Sequence, residues 1–178
     1  EVLDHGTGGV TVLGDEGEHL LGACHRTGRA RRERGTDLLG DVTGGDLVAE
    51  GLDGFSFRIL AKALGCEAMS IYHYYPSKTH LFDAMLDTCL AEIRFLEPSA
   101  HWIWRLRTAS HELRTMALRH PGFFPYMAVH RLNTRFALSV LNEFLAMFDG
   151  SGREPEWRAK RFRALGYYLM GALLDETS

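Results

Sequence analysis

Arg58, Lys62, Tyr72 and Lys78 are spread over a short stretch of sequence that also holds Glu67, Ala68, Met69, Ser70 and His73. The chemistry of these side chains suits a polyanion with readable edges. Ser70 and His73 can hydrogen-bond to bases, Ala68 and Met69 can touch thymine methyl groups, and Glu67 can accept from a cytosine amine. Arg58 can reach guanine or a phosphate, while Lys62, Lys78 and the Tyr72 hydroxyl suit phosphates. Between Phe55 and His80, Arg58, Lys62 and Lys78 against Glu67 give +2. From Leu81 to Glu97, Arg94 against Asp83, Asp87, Glu92 and Glu97 gives −3. Basic character is therefore local, within a chain whose formal net charge is −3.

Other chemistries lack a constellation. The sequence has no GxSxG, P-loop or HExxH, its nine histidines have no ligand spacing, and its three cysteines form neither CxxC nor a Cys/His set. We expect no catalytic residues, no metal and no cofactor. No run of eighteen apolar residues suggests a membrane span, and the acidic, Gly-rich start is unlike a signal peptide. The expected compartment is the cytoplasm.

The elements that must hold the reactive stretch can be read from periodicity. Phe57, Leu60, Ala61 and Leu64 fall at i, i+3, i+4 and i+7, one face of an amphipathic helix. Ser56 can cap it and Gly65 can end it. A second short helix fits Glu67 to Tyr75, with Cys66, Ile71 and Tyr75 packing inward and Pro76 stopping it. Ser77 is a suitable N-cap for a third helix, buried through Leu81, Met85, Leu86 and Cys89 or Leu90. Lys78 then sits in that helix's first turn, where N–H groups and the dipole favour an anion. Two short helices joined by a tight turn and braced by a longer one make a helix-turn-helix.

Leu47-Val48-Ala49-Glu50-Gly51-Leu52-Asp53-Gly54-Phe55-Ser56, then Leu60-Ala61-x-x-Leu64-Gly65, then Ile71-Tyr72-His73-Tyr74-Tyr75-Pro76-Ser77-Lys78 resemble the DNA-binding domain of the tetracycline-repressor-like (TetR) family. The resemblance runs from Leu47 to Leu90. It implies an all-α chain, an N-terminal three-helix DNA-binding domain followed by a helical ligand-binding and dimerisation bundle. It also implies a regulator, a repressor released from a double-stranded DNA operator by a small-molecule effector, acting as a homodimer. The DNA-facing set is then Ser56, Arg58, Glu67, Ala68, Met69, Ser70, Tyr72, His73 and Lys78. The helix from Lys78 to about Arg94 is the lever between the two functions.

The boundaries read as 1–36 flexible or atypical, 37–97 DNA-binding and 98–178 regulatory. Thirteen of the nineteen glycines fall within residues 1–54, which are poor in helix-forming texture. Gly40, Gly44 and Gly45 stand where the family's first helix would carry alanine and leucine. Arg26, Arg29, Arg31, Arg32 and Arg34 form a basic cluster that either tracks phosphates or is simply solvated. After Pro98, Trp102, Leu106, Ala109, Leu113 and Met116 trace one helix, and a short element follows around Phe124 to His130. Ala137, Leu141, Phe144 and Phe148 trace another helix. Leu165, Tyr168, Leu169 and Ala172 form the inward face of a last one beginning at Pro155. Met116, Phe123, Phe124, Met127, Phe136, Phe144, Tyr167 and Met170 are the candidates for a pocket, since Met and Phe fit varied apolar shapes. The face around Tyr167, Tyr168, Gly171 and Ala172 is the candidate dimer contact. The chain stops at Ser178 without a polar tail or closing helix, so a truncated or frame-altered product with an impaired dimer is expected. The competing function is a helical protein-interaction module.

Overall fold

The computed structural model describes residues 54–178, apart from Gly65 and the side chains of Ala63 and Leu64. The expected flexible start, the arginine cluster and the glycine-weakened first helix lie outside the described residues. Every regular element among the described residues is helical.

Helix α1 (Phe57–Leu64) starts where the Ser56 hydroxyl oxygen accepts the Ile59 N–H at 3.3 Å. It buries Phe57, Leu60 and Ala61. The Cys66 N–H returns to the Ala61 carbonyl at 2.9 Å, a six-to-one closure that satisfies an otherwise orphaned helix-end acceptor. Helix α2 (Ala68–Tyr74) is only seven residues long and rests on Ile71. Pro76 forces the preceding Tyr75 into extended backbone, φ −122° and ψ 96°, which ends it. Ser77 then turns the chain into α3 (Lys78–Ala91), accepting the His80 N–H at 3.4 Å.

Helix α3 buries Leu81, Phe82, Met85, Leu86, Cys89 and Leu90, two adjacent rows rather than one. It therefore has neighbours on two sides. Phe82 marks the change of partner: its ring lies 5.3 Å from that of Phe55, 5.1 Å from Tyr126 and 6.1 Å from Phe123. Phe55 belongs to the first helical pair and the other two to the bundle, so one core runs through both.

The bundle consists of α4 (Trp102–Arg119), α5 (Phe124–Val129), α6 (Arg135–Ala146) and α7 (Pro155–Glu176). Side-chain caps set two of these starts and a proline a third. The His101 ring accepts the Ile103 N–H at 3.3 Å, Thr134 accepts the Ala137 N–H at 2.9 Å, and Pro155 needs no N–H partner at the head of α7. A 3-10 turn, Met147–Ser151, follows α6 and ends at Gly152 in the left-handed conformation, φ 64°. At Gly150 a Cβ would stand 2.8 Å from the Trp102 Cβ, so glycine there lets the turn approach α4.

Two inward faces depart from the sequence reading. On α6, where that reading places Ala137, Leu141, Phe144 and Phe148 inward, Leu141 is 37% exposed and Phe148 lies in the following 3-10 turn. The second departure is on α7. Tyr168 is 71% exposed, while Leu173 is buried and Leu165 and Leu169 are half-buried. The inner row of α7 is thus spaced by four residues, and Tyr168 is rotated about 100° away from Leu169.

Candidate nucleic-acid interface and ligand cavity

Helix α2 divides its side chains sharply. Ile71 has no exposed surface, whereas Met69 is 75% and Tyr72 49% exposed. Glu67 and His73 are exposed beside them, and Ala68 and Ser70 are half-buried on the flanks. Tyr72 is steadied by an edge-on contact with Phe57, ring centroids 4.5 Å apart. Arg58 and Lys62 are exposed on α1, and Ser56 is half-buried at its start, where it caps the helix. Lys78 is exposed at the first position of α3, its ammonium 5.8 Å from the Phe55 ring centre. Tyr75 is buried and Tyr74 packs against the core, so neither belongs to this surface.

From Asp83 onward α3 is tied to the bundle by polar contacts. His130 Nε2 lies 2.9 Å from the Asp83 carboxylate and 3.3 Å from the Tyr126 hydroxyl. One turn along, Thr134 donates to Asp87 at 2.5 Å. Near the helix end Glu92 pairs with His120 at 2.7 Å and with Arg119 at 3.0 Å. Burial alone would raise the Glu92 pKa, but the hydrogen bonds and positive charge of His120 and Arg119 outweigh it and hold the carboxyl below its ordinary value. Asp87 goes the other way. Burial and the neighbouring Asp83 charge raise its pKa despite the Thr134 hydrogen bond. Burial likewise raises the Cys89 thiol, which is a packing residue of α3 and not a reactive one.

Between α3 and the bundle helices lies a cavity of about 410 Å³. Phe124, Met127, Phe144, Tyr167 and Met170 stand on its wall, as do Leu86 and Leu90 of α3. Three of the anticipated pocket residues do not. Met116 and Phe123 are consumed by the core, Phe123 packing on Phe82 and Tyr126, and Phe136 is 40% exposed. The reason for Phe136 is angular, since it precedes the buried Ala137 by one residue on α6. Sequence reasoning missed His130, Arg163 and Gly166 on the wall. No local pattern marks them, because the wall is made by residues far apart in the chain.

Among the described residues no helix is long and apolar enough to cross a membrane, and no group of three or more His, Cys, Asp or Glu could hold a metal.

Comparison with known proteins bears on this geometry. The family described as bacterial regulatory proteins, tetR family, matches residues 47–85. The HTH-type transcriptional repressor DrrR1 of Streptomyces coeruleorubidus is 39% identical over 126 residues, covering 70% of this chain and 47% of that protein. The chain spans less than half the length of the curated relatives it matches. Among solved structures, the Streptomyces coelicolor TetR family protein ActR in complex with actinorhodin aligns with a TM-score of 0.67 at 23% identity, over 83% of this chain and 70% of that one. BioQ with its double-stranded DNA operator aligns with a TM-score of 0.64 at 19% identity, over 79% of this chain and 86% of that one. At such identities the likeness is one of fold.

Proposed function

Through residues 47–85 the chain belongs to the tetR family of bacterial regulatory proteins, and from that premise we propose that it is a cytoplasmic DNA-binding repressor released from its operator by a small apolar effector. The observation that carries this reading is the position of α3. Its first residue, Lys78, is exposed four residues after the end of α2, and its later residues Leu86 and Leu90 form part of the cavity wall.

In this reading residues 37–97 bind DNA and residues 98–178 regulate. Helix α2 enters the major groove, with Glu67, Ala68, Met69, Ser70 and His73 toward base edges. Ser56, Arg58, Tyr72 and Lys78 hold the backbone or an adjacent base. A homodimer meeting through the face around Tyr167 and Tyr168, 77% and 71% exposed, sets the distance between two such helices. DNA requires about 34–36 Å between half-sites, and an occupied cavity favours another spacing by moving α3. BioQ with its operator and ActR with actinorhodin support the two halves of the proposal on related folds. Catalysis has no part in it.

The test is a fluorescence-anisotropy titration against a random-sequence duplex at two salt concentrations. The wild-type chain should bind in a salt-sensitive way, and the triple variant of Arg58, Tyr72 and Lys78 to alanine should lose affinity across all sequences. Equal behaviour of the two folded proteins would instead favour a helical protein-interaction module.

A further inference from the structure

The composition of the cavity wall restricts what can occupy it. The wall is lined mainly by leucine, phenylalanine and methionine side chains, and among the described residues no aspartate or glutamate lines it. A cation entering it would lose hydration and find no opposite charge. Two wall residues carry strongly polar side chains, His130 and Arg163. His130 is already engaged, its Nε2 lying within hydrogen-bond distance of Asp83 and Tyr126.

Arg163 differs from the other basic residues of α7. Arg158 pairs with Asp149, Lys160 pairs with Glu156 at 2.7 Å, and Arg161 stacks on Trp157 at 5.5 Å. Arg163 has no hydrogen-bond or ion-pair partner among the described residues, and it stands on the wall near Gly166 and the exposed Tyr167. An arginine at the edge of an apolar hollow offers a planar fork of donors to one anionic group, while the hollow takes an aromatic or aliphatic body. Phe124, Phe144, Phe148 and Phe162 make that hollow hospitable to rings.

We propose that the cavity binds an apolar, ring-bearing molecule with one acidic group, and that Arg163 recognises that group. The proposal rests on reading the cavity as a ligand site, and its test separates the two. Two fluorescent probes share one skeleton: 8-anilinonaphthalene-1-sulfonate carries a negative charge and N-phenyl-1-naphthylamine carries none. Both are titrated into the full chain and into variants whose folding is checked by circular dichroism.

Arg163→Gln should weaken the anionic probe about tenfold and leave the neutral one within about twofold. Arg161→Gln, which removes a nearby charge absent from the wall, should change neither. Gly166→Phe should weaken both by obstruction, because Gly166 stands on the wall and a Cβ there meets nothing within 4 Å. Ala128→Phe provides a second obstruction from a wall residue on α5. If both obstructions leave both probes unaffected, the cavity is not the ligand site and the earlier reading falls with the proposal. If they weaken both probes while Arg163→Gln weakens neither, or weakens both equally, the cavity stands and acid recognition by Arg163 is overturned.

Discussion

Asp83 and His130 meet at 2.9 Å across the junction of α3 and the end of α5, and the same histidine stands on the cavity wall. The pair joins the lever helix to the hollow directly. Removing one partner leaves the other half-buried without its hydrogen bond, the costly direction of such a change. His130→Ala should lower stability by about 1–3 kcal/mol, and the Asp83→Ala, His130→Ala double variant should be less damaged than the sum of the singles. Urea denaturation midpoints of the four proteins check this, and strict additivity would deny the coupling.

Asp87, one turn further along α3, responds to pH in the opposite sense from an ordinary paired carboxylate. Its folded pKa is raised above 3.8 by burial and by Asp83, so the stability it contributes is full below 3.8 and lost as pH rises through the folded value. Asp87→Asn removes the buried charge while its amide oxygen still accepts from Thr134. Its denaturation midpoint at neutral pH should equal or exceed that of wild type, with the difference vanishing at low pH. Thr134→Val should instead cost about 1–2 kcal/mol, since the hydroxyl both caps α6 and satisfies Asp87. A strongly destabilised Asp87→Asn protein at pH 7 would contradict this account.

Glu92 titrates with the usual sign. Its pKa is lowered by His120 and Arg119, so its stabilisation is present above its ordinary 4.5 and disappears as pH falls through the folded value. Glu92→Gln should be less stable than wild type near pH 6, and the gap should close as pH falls from 4.5 toward the lowered value. Thermal melts at several pH values measure the gap, and a constant difference across that range would remove Glu92 from the acid response.

How much of this was open to sequence reading depended on whether the cause was local. Phe57, Leu60 and Ala61 show the period of α1, Pro76 and Ser77 mark the boundary between α2 and α3, and Ile71 stands out as the inward residue between Tyr72 and Ser70. Tertiary effects were opaque. Helix α7 carries apolar residues on several sides, so Tyr168 and Leu173 cannot be ranked for burial without knowing what packs on them. Met116 and Phe123 look as suitable for a hollow as Met127 and Phe124 do, and only packing distinguishes a core residue from a wall residue. The rungs from Asp83 to His130 and from Asp87 to Thr134 each span 47 residues, beyond any periodic pattern.

The sharp division of α2 gives the most direct separation of fold from function. Ile71 is fully enclosed and Met69 is 75% exposed, two residues apart on one short helix. Ile71→Ala deletes core atoms and should cost about 2–5 kcal/mol, with loss of binding as a consequence of unfolding. Met69→Ala touches no core contact and should change stability by less than about 0.5 kcal/mol. If α2 reads bases, Met69→Ala should nevertheless reduce affinity for an operator selected from a random library, while affinity for unrelated duplex stays the same. Lys78→Ala should do the reverse, weakening both duplexes alike and reducing the salt slope by about one. The two variants therefore exchange their effects on specificity and on salt dependence. An operator affinity unmoved by Met69→Ala would place the exposed face of α2 away from the bases.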